Sequence, residues 1–501
     1  MLHVANGMWG NKCLKKGVSQ HSVFVLITKI YIYLMLSVFL LFVGRGGFGT
    51  IQGDKYTAFL VICGGYVVVM AALWIEGTLV GAGWFCSPAK MLRESTWAQR
   101  AALAYLALTW LSALCSAYFP ETVLGVTRCE GALSISIYVL CFLLLSVFGR
   151  ADKPMLVVAG VSITLFCVLS IVQMFDYNPL GLYPDGYSYS DAYTAYSGAY
   201  LGTIGNVDLV AAFLCLAIPV LWILLVRMHG RARILLLIPL ALALAVLAGM
   251  SVLAGIVGVA VGSILAAPMV FLTGRRARVR AYLGVAALFA AFAVTVYAVD
   301  IGGGFLHELH ELLHGRASGS FGTGRLHIWS EVLGKLPQYL LLGSGPDTMS
   351  YAGLEAFTRY DPNVDMLLVS EIDVAHNEYL NIAFSQGIFA LAAYLGLLLC
   401  CARSWAGRAA SDTVVCALGG AALCYCVQAF FGIAMCITEP FFWLVLGLLE
   451  SRANIKEKEH GGKTNEEKTH KFKPGRIDAS DAPAVKRNQR GRRGSAASGN
   501  G

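Results

Sequence analysis

Apolar runs of about 20 residues recur along this chain from Ser22 to Leu449, and no other feature limits its fold so strongly. A helix rises about 1.5 Å per residue, so a run of that length crosses the hydrocarbon of a bilayer. Lipid offers no water to a peptide group, and a helix answers this by bonding its own backbone. The runs lie near 22–43, 56–74, 101–119, 132–149, 154–174, 207–226, 233–250, 251–272, 281–301, 382–402, 412–432 and 437–450. The seventh and eighth join into one unbroken stretch, too long for one crossing, so a tight hairpin is expected near Gly249-Met250-Ser251. The expected fold is an all-α polytopic membrane protein of about 12 transmembrane helices. Charged residues make up 14% of the chain, against about 25% in soluble domains, which agrees. The first run is too long for a signal-peptide core and has no clear cleavage site, so it reads as an uncleaved anchor.

Charge divides the chain and orients it. Residues 451–501 hold 13 Lys/Arg and 6 Asp/Glu, so the tail supplies 13 − 6 = +7 of the net +8. A solvated tail beside an anionic membrane surface accounts for this, and no nucleic-acid partner is implied. Its composition cannot bury a core, so 451–501 is expected to be a disordered basic cytoplasmic tail. Basic clusters follow the even-numbered runs: Arg150 and Lys153, Arg227 and Arg231, Arg275 to Arg280, Arg403 and Arg408. Lys12, Lys15 and Lys16 precede the first. The positive-inside rule then makes both termini cytoplasmic, with 1–21 as the N-terminal segment, in a multi-pass protein of the cell membrane. Residues 22–450 form the membrane body. Loop 175–206 has Asp176, Asp185 and Asp191 but no Lys or Arg, and falls on the outer side with the long polar island 302–381 between the ninth and tenth runs. Tyr183 to Tyr200 suit either an interfacial aromatic belt or stacking on sugar rings. The 14 cysteines lie mostly in apolar runs and lack paired C-x-x-C spacing, so they read as small core hydrophobes rather than metal ligands or disulfides.

The island carries the residues suited to chemistry. His376 lies in Asp373-Val374-Ala375-His376-Asn377-Glu378-Tyr379-Leu380, just before a run. With Asp373 as N-cap, His376 would sit in the first helical turn, where the positive end of the helix favours neutral imidazole. Such a histidine is a candidate general base for a hydroxyl. The plain alternative is an interfacial histidine bonded to a loop carbonyl. Arg325 follows Gly319, Gly322 and Gly324, which let backbone approach a ligand closely, and its guanidinium fits phosphate bidentately. Trp329 falls four residues on, on the same helical face. A surface arginine at a helix start is the alternative here. Arg128 and Glu130 stand at the mouth of the fourth run, as a functional pair or as each other's ion-pair partner. His310-Glu311-Leu312-Leu313-His314 matches H-E-x-x-H, a zinc-protease pattern. It is set aside, because His307, His310 and His314 share a face by ordinary helical spacing and no third ligand follows. No metal or other cofactor is expected.

Taken in order, these motifs resemble the O-antigen ligase and polymerase family. The matching patches are Arg128-Cys129-Glu130-Gly131, Gly202 to Asp208 with Asn206, Gly324-Arg325 with Trp329, Leu342-Gly343-Ser344-Gly345-Pro346-Asp347-Thr348, and Asp373 to Leu380. The resemblance implies a helical membrane fold like that of C-type glycosyltransferases, with a large extracytoplasmic loop. It implies a metal-independent, inverting glycan transferase of cell-surface polysaccharide assembly. The donor would be a polyprenyl-pyrophosphate-linked glycan, with its lipid tail among membrane lipid. The acceptor would be a hydroxyl of a glycan, a lipid or a protein. Arg325 would neutralise the pyrophosphate and His376 would be the base. Arg128, Glu130, Asn206, Trp329, Asp373, Asn377 and Glu378 would bind substrate or orient the base. One place departs from the pattern. Many members carry a Ser-Arg pair where this chain has Ser251-Val252, and Arg128, Arg316 or Arg359 would have to supply the second arginine. The rival class is a transporter or flippase of the same lipid-linked glycan. The chain shows no six-span repeat, and charges inside the runs, such as Lys29, are few. Within the family, ligase, polysaccharide polymerase and protein O-oligosaccharyltransferase differ by acceptor alone.

Overall fold

The computed structural model describes residues 22–79, 93–183, 189–191, 194–196, 202–300, 302–361 and 366–451. The expected cytoplasmic N-terminus, the basic tail beyond 451 and most of Tyr183–Tyr200 lie outside these residues. The described chain is mostly helical. In order it runs α1 (Ser22–Phe39), α2 (Ile51–Leu79), α3 (Trp97–Cys115), α4 (Ala132–Phe148), α5 (Lys153–Met174), α6 (Val207–Arg227), α7 (Arg231–Met250), α8 (Leu253–Phe271) and α9 (Arg275–Ala298). There follow α10 (Gly304–Leu313), α11 (Arg325–Tyr339), α12 (Glu378–Gln386), α13 (Ile388–Arg408), α14 (Thr413–Gln428) and α15 over 439–451. Two antiparallel hairpins interrupt them, β1 (Tyr189–Asp191) with β2 (Thr194–Tyr196) and β3 (Phe357–Asp361) with β4 (Met366–Ser370).

Among the described residues, eight helices are long and apolar enough to cross a membrane, not twelve. They are α1, α2, α5 to α9, and α13. The difference has local causes. Helices α4 and α14 are apolar but only 17 and 16 residues long. Helix α3 carries Gln99, Thr109 and Ser112 as buried polar side chains. Helix α15 covers only 439–451. The expected tenth run keeps its span as α13 but is broken from α12 at Gly387 (φ +89°), where a Cβ would lie 2.2 Å from the Leu341 carbonyl oxygen. The long apolar stretch does fold back where expected. Ser251 takes φ +55° after α7, donates its N–H to the Ala248 carbonyl, and α8 starts two residues later.

Small residues let the central helices approach closely. Helix α6 is the most enclosed of the eight, with 78% of its apolar window buried, and α14 packs against both α6 and α8. In lipid the helices gain little from hiding apolar surface, so close backbone approach matters more. A Cβ on Gly258 would stand 2.8 Å from Cys215 Sγ of α6, and one on Gly262 only 2.6 Å from the Cys424 Cα of α14. The end of α1 is closed by a buried lysine. Lys55 Nζ donates to the carbonyls of Phe39 (2.7 Å) and Leu40 (3.2 Å), two of the acceptors that a helix end leaves open. Lys29 instead pairs with Asp152, the N-cap of α5.

Gly262→Leu is expected to cost about 1–3 kcal/mol by overpacking α8 against α14. Gly284→Leu on α9, where an added Cβ meets nothing within 4 Å, is expected to be neutral. Thermal unfolding of the detergent-solubilised protein checks this, and equal midpoints for the two variants would count against the packing account.

Candidate active site

The segment between β4 and α12 holds His376 in a tight frame. Asn377 caps α12, its side-chain oxygen accepting from Leu380 N at 3.0 Å. The cap expected at Asp373 is therefore at Asn377, and His376 precedes the helix instead of opening it. Asp373 is engaged elsewhere, its carboxylate accepting from Arg128 Nε (2.9 Å) and Nη2 (3.0 Å). Trp329 of α11 donates Nε1–H to the Ala375 carbonyl at 2.9 Å, pinning the backbone beside His376. His376 adopts φ +47°, and its Nδ1 is sealed from water with no hydrogen-bond partner. Burial, then the charges of Arg325 and Arg128, pushes its imidazole down to about 3. The neutral form is favoured, but by desolvation and two guanidinium groups rather than by a helix end.

Arg325 opens α11 after Gly324, whose φ is +87° and whose missing Cβ would sit 2.5 Å from the Phe357 ring of β3. Both backbone conformation and space therefore demand glycine there. Arg325 Nη1 donates to the Gly322 carbonyl (3.1 Å) and Thr323 Oγ1 (3.0 Å), and Nη2 lies 3.8 Å from Asp208 Oδ1. Its Nε is buried without a partner. Asp208 is placed by Asn206, the N-cap of α6, whose side chain accepts from Asp208 N (2.9 Å) and Leu209 N (3.2 Å). Asp208, Arg325, Phe357, Glu371, Asp373 and His376 line a cavity of about 140 Å³.

A second cavity, of about 50 Å³, lies on the other side of Asp373 and Val374, which line both. Arg128, Glu130, Asp347, Glu378 and Glu439 face it. Arg128 and Glu130 do not pair with each other as one reading expected. Arg128 holds Asp373, while Glu130 Oε1 accepts from Tyr138 Oη at 2.7 Å. Glu378 accepts from Tyr394 Oη. Burial, then the nearby Glu439, pushes the Glu130 carboxyl well above its usual range. Burial also raises the Asp347 carboxyl, opposed by hydrogen bonds from the loop before α4.

The structure distinguishes the candidate second arginines. Arg316 makes a two-pronged pair with Glu311 (Nε–Oε2 2.8 Å, Nη2–Oε1 2.6 Å) on the exposed edge of α10. The side chain of Arg359 lies outside the described residues. Arg128 is the candidate whose charge reaches His376. The H-E-x-x-H histidines on α10 are tied to backbone, His310 Nδ1 to the Val296 carbonyl (2.7 Å) and His314 Nδ1 to that of His310 (2.9 Å).

Of the nine residues expected at the site, His376, Arg325 and Asp373 share the larger cavity, and Arg128, Glu130, Asp373 and Glu378 the smaller. Trp329, Asn377 and Asn206 act here as supports, through a pinned carbonyl and two helix caps. Asp208 and Asp347 lie within quoted motifs, yet the sequence reading assigns neither a role. Glu439 had no sequence signal beyond being an acid at the start of an apolar run. Backbone strain concentrates at the same place. Among the described residues six non-glycine residues have positive φ, and Cys129, Thr323, Asp347 and His376 are four of them. Each costs about 1–3 kcal/mol, which a folded chain keeps where the surroundings enforce it, often at functional sites.

No curated protein matches the chain. Residues 240–395 match the family model described as O-antigen ligase, a region that contains Arg325, Asp347, Asp373 and His376 but not Arg128 or Asp208. Together with eight membrane-length apolar helices, that match supports reading the chain as a membrane protein of an O-antigen ligase-like family.

Proposed function

We propose that this protein transfers a glycan from a polyprenyl-pyrophosphate carrier to an acceptor hydroxyl at the extracytoplasmic face, in cell-surface polysaccharide assembly. The observation that carries the reading is His376, kept neutral in a cavity that also holds Arg325, with Arg128 close enough to act on it. A neutral imidazole accepts a proton, and two guanidinium groups stabilise the charge that builds on a departing pyrophosphate. In the proposed step the acceptor oxygen bonds to the anomeric carbon and its proton passes to His376. The bond from that carbon to phosphate oxygen breaks, and the pyrophosphate leaves with the electron pair beside Arg325, with Arg128 acting through its field. Attack opposite the leaving group inverts the anomeric centre. Because the pyrophosphate is already a good leaving group, the arginines supply the positive charge this step needs.

The surrounding groups have proposed parts as well. Asp373 holds Arg128 in place, and Trp329 and Asn377 fix the backbone on either side of His376. Glu130 and Glu378 line the smaller cavity, where sugar hydroxyls are their proposed partners, and Asn206 caps α6 beside Asp208. The distribution of Lys and Arg supports an outward-facing site with both termini cytoplasmic. The acceptor is a hydroxyl on a glycan, a lipid-anchored core or a protein. The glycoconjugate lost on deleting the gene identifies it.

His376→Ala is expected to lower transfer by about 10²–10⁴-fold, the usual worth of a general base, with normal membrane insertion. Reconstitution with a lipid-linked glycan and an acceptor measures it. Wild-type rates in that variant would remove the base from the mechanism.

The pH profile gives a second check. A base whose imidazole protonates only near 3 stays competent as pH falls, so kcat/KM should show no histidine limb between pH 8 and 5. Arg325→Gln removes a positive neighbour, which raises the basicity of His376. Its residual activity should therefore begin to fall at a higher pH than in the wild type. An acid limb near 6.5 in the wild type would contradict this assignment.

A further inference from the structure

We infer that Asp347 is a positioning residue that sets Arg128 against Asp373, three residues before His376; its importance for transfer rests on the reading just given. Residues 126–130 have no helix or strand of their own, yet they carry Arg128. The Asp347 carboxylate gathers them. Oδ2 accepts from Thr127 N (3.1 Å), Arg128 N (2.9 Å) and Glu130 N (3.4 Å), and Oδ1 accepts from Thr127 Oγ1 (3.0 Å). The Asp347 carbonyl also accepts from Val126 N at 3.3 Å. Space at the contact is limited, since a Cβ on Gly125 would sit 2.4 Å from Asp347 Oδ2.

Asp347 is itself held by the helix that His376 precedes. Ser344 N and Gly345 N donate to the carbonyls of Phe384 and Ser385, both at 2.9 Å, near the end of α12. A closed circuit results. It runs from the end of α12 to the Gly343–Asp347 turn, across to residues 126–130, through Arg128 to Asp373, and along three residues to His376, just before the Asn377 cap of α12. A carboxylate is the group this circuit needs, because it offers two acceptor oxygens and no donor to a set of N–H groups. An amide of the same size would turn an NH₂ toward them, and a buried N–H left without a partner costs about 1–3 kcal/mol.

A structural anchor would be felt everywhere, whereas a positioning residue acts through Arg128. The full-length protein in detergent separates the two. Diethyl pyrocarbonate modifies neutral imidazole, and mass spectrometry reads its rate at His376. In the wild type the rate should fall only toward pH 3. Arg128→Gln should move the midpoint of that fall to a higher pH, since one positive charge acting on His376 is gone, while burial and Arg325 keep it below the ordinary imidazole range. Asp347→Asn should produce the same shift of midpoint, and the double variant should shift no further. Arg325 and Asp208 are unchanged in all of them. A midpoint for Asp347→Asn that stays at the wild-type value would overturn the inference, as would an unshifted midpoint for Arg128→Gln or shifts that add in the double variant. If Asp347→Asn fails to fold, Thr127→Val removes only the hydroxyl arm. It should give a smaller shift that disappears in the Arg128→Gln background, and an unshifted midpoint for it would also overturn the inference. None of these readouts depends on glycan transfer. Full transfer by His376→Ala would defeat the proposed function and leave the positioning result intact.

Discussion

The two-pronged pair between Arg128 and Asp373 is the interaction on which the site depends. It ties the loop before α4 to the segment between β4 and α12 that carries His376, across 245 residues of sequence. Its two side chains are 22% and 28% exposed, so it is neither a surface pair worth almost nothing nor a fully buried one whose desolvation outweighs its attraction. Parallel N–H···O bonds also fix direction, which a single lysine contact would not. Asp373 serves as the wall between two cavities, and the pair keeps that wall in one place.

Around this pair the charges are unevenly satisfied. Arg325 has one nitrogen sealed without a partner and its nearest carboxylate at 3.8 Å, so much of its capacity is uncommitted. Arg128, by contrast, is committed to Asp373. The two arginines therefore act differently on a bound anion. Arg325 can meet it directly, while Arg128 contributes through its field and through the carboxylate it holds. Both lower the basicity of the histidine between them, and an incoming anion would offset that effect.

Much of this was legible in the sequence, for physical reasons that differ by residue. The apolar runs specified a helical membrane protein, and the unbroken stretch across Ser251 specified a turn, because hydropathy and length bear directly on spanning. Gly324 before Arg325 reads in the sequence as room for a ligand to approach the backbone, whereas the structure brings the Phe357 ring there. The exact span count was less legible, because hydropathy does not show where a helix stops: α4 and α14 end at 17 and 16 residues, and beyond α14 the chain stays apolar. The cap at Asn377 was misread as Asp373 because both residues cap well, and only the distant Arg128 shows which is otherwise engaged. Long-range partners leave no local pattern. Asp347 lies 219 residues from the backbone N–H of Arg128 that it accepts, and nothing at either place names the other.

Helix α9 gives the island an unusual attachment. Only 6% of its apolar window is buried inside the protein, although it leads directly into α10 and α11. A rod with so few side contacts limits how far the chain beyond it can stray, but conveys little about how that chain is turned. The orientation of Arg325 is therefore set from both directions in sequence, upstream by Thr323 and by Asp208 of α6, and downstream by Phe357 of β3 and by the bond from Trp329 to Ala375. During synthesis the arginine emerges before the last of these, so the set that aims it is complete only once the chain has been made as far as Ala375.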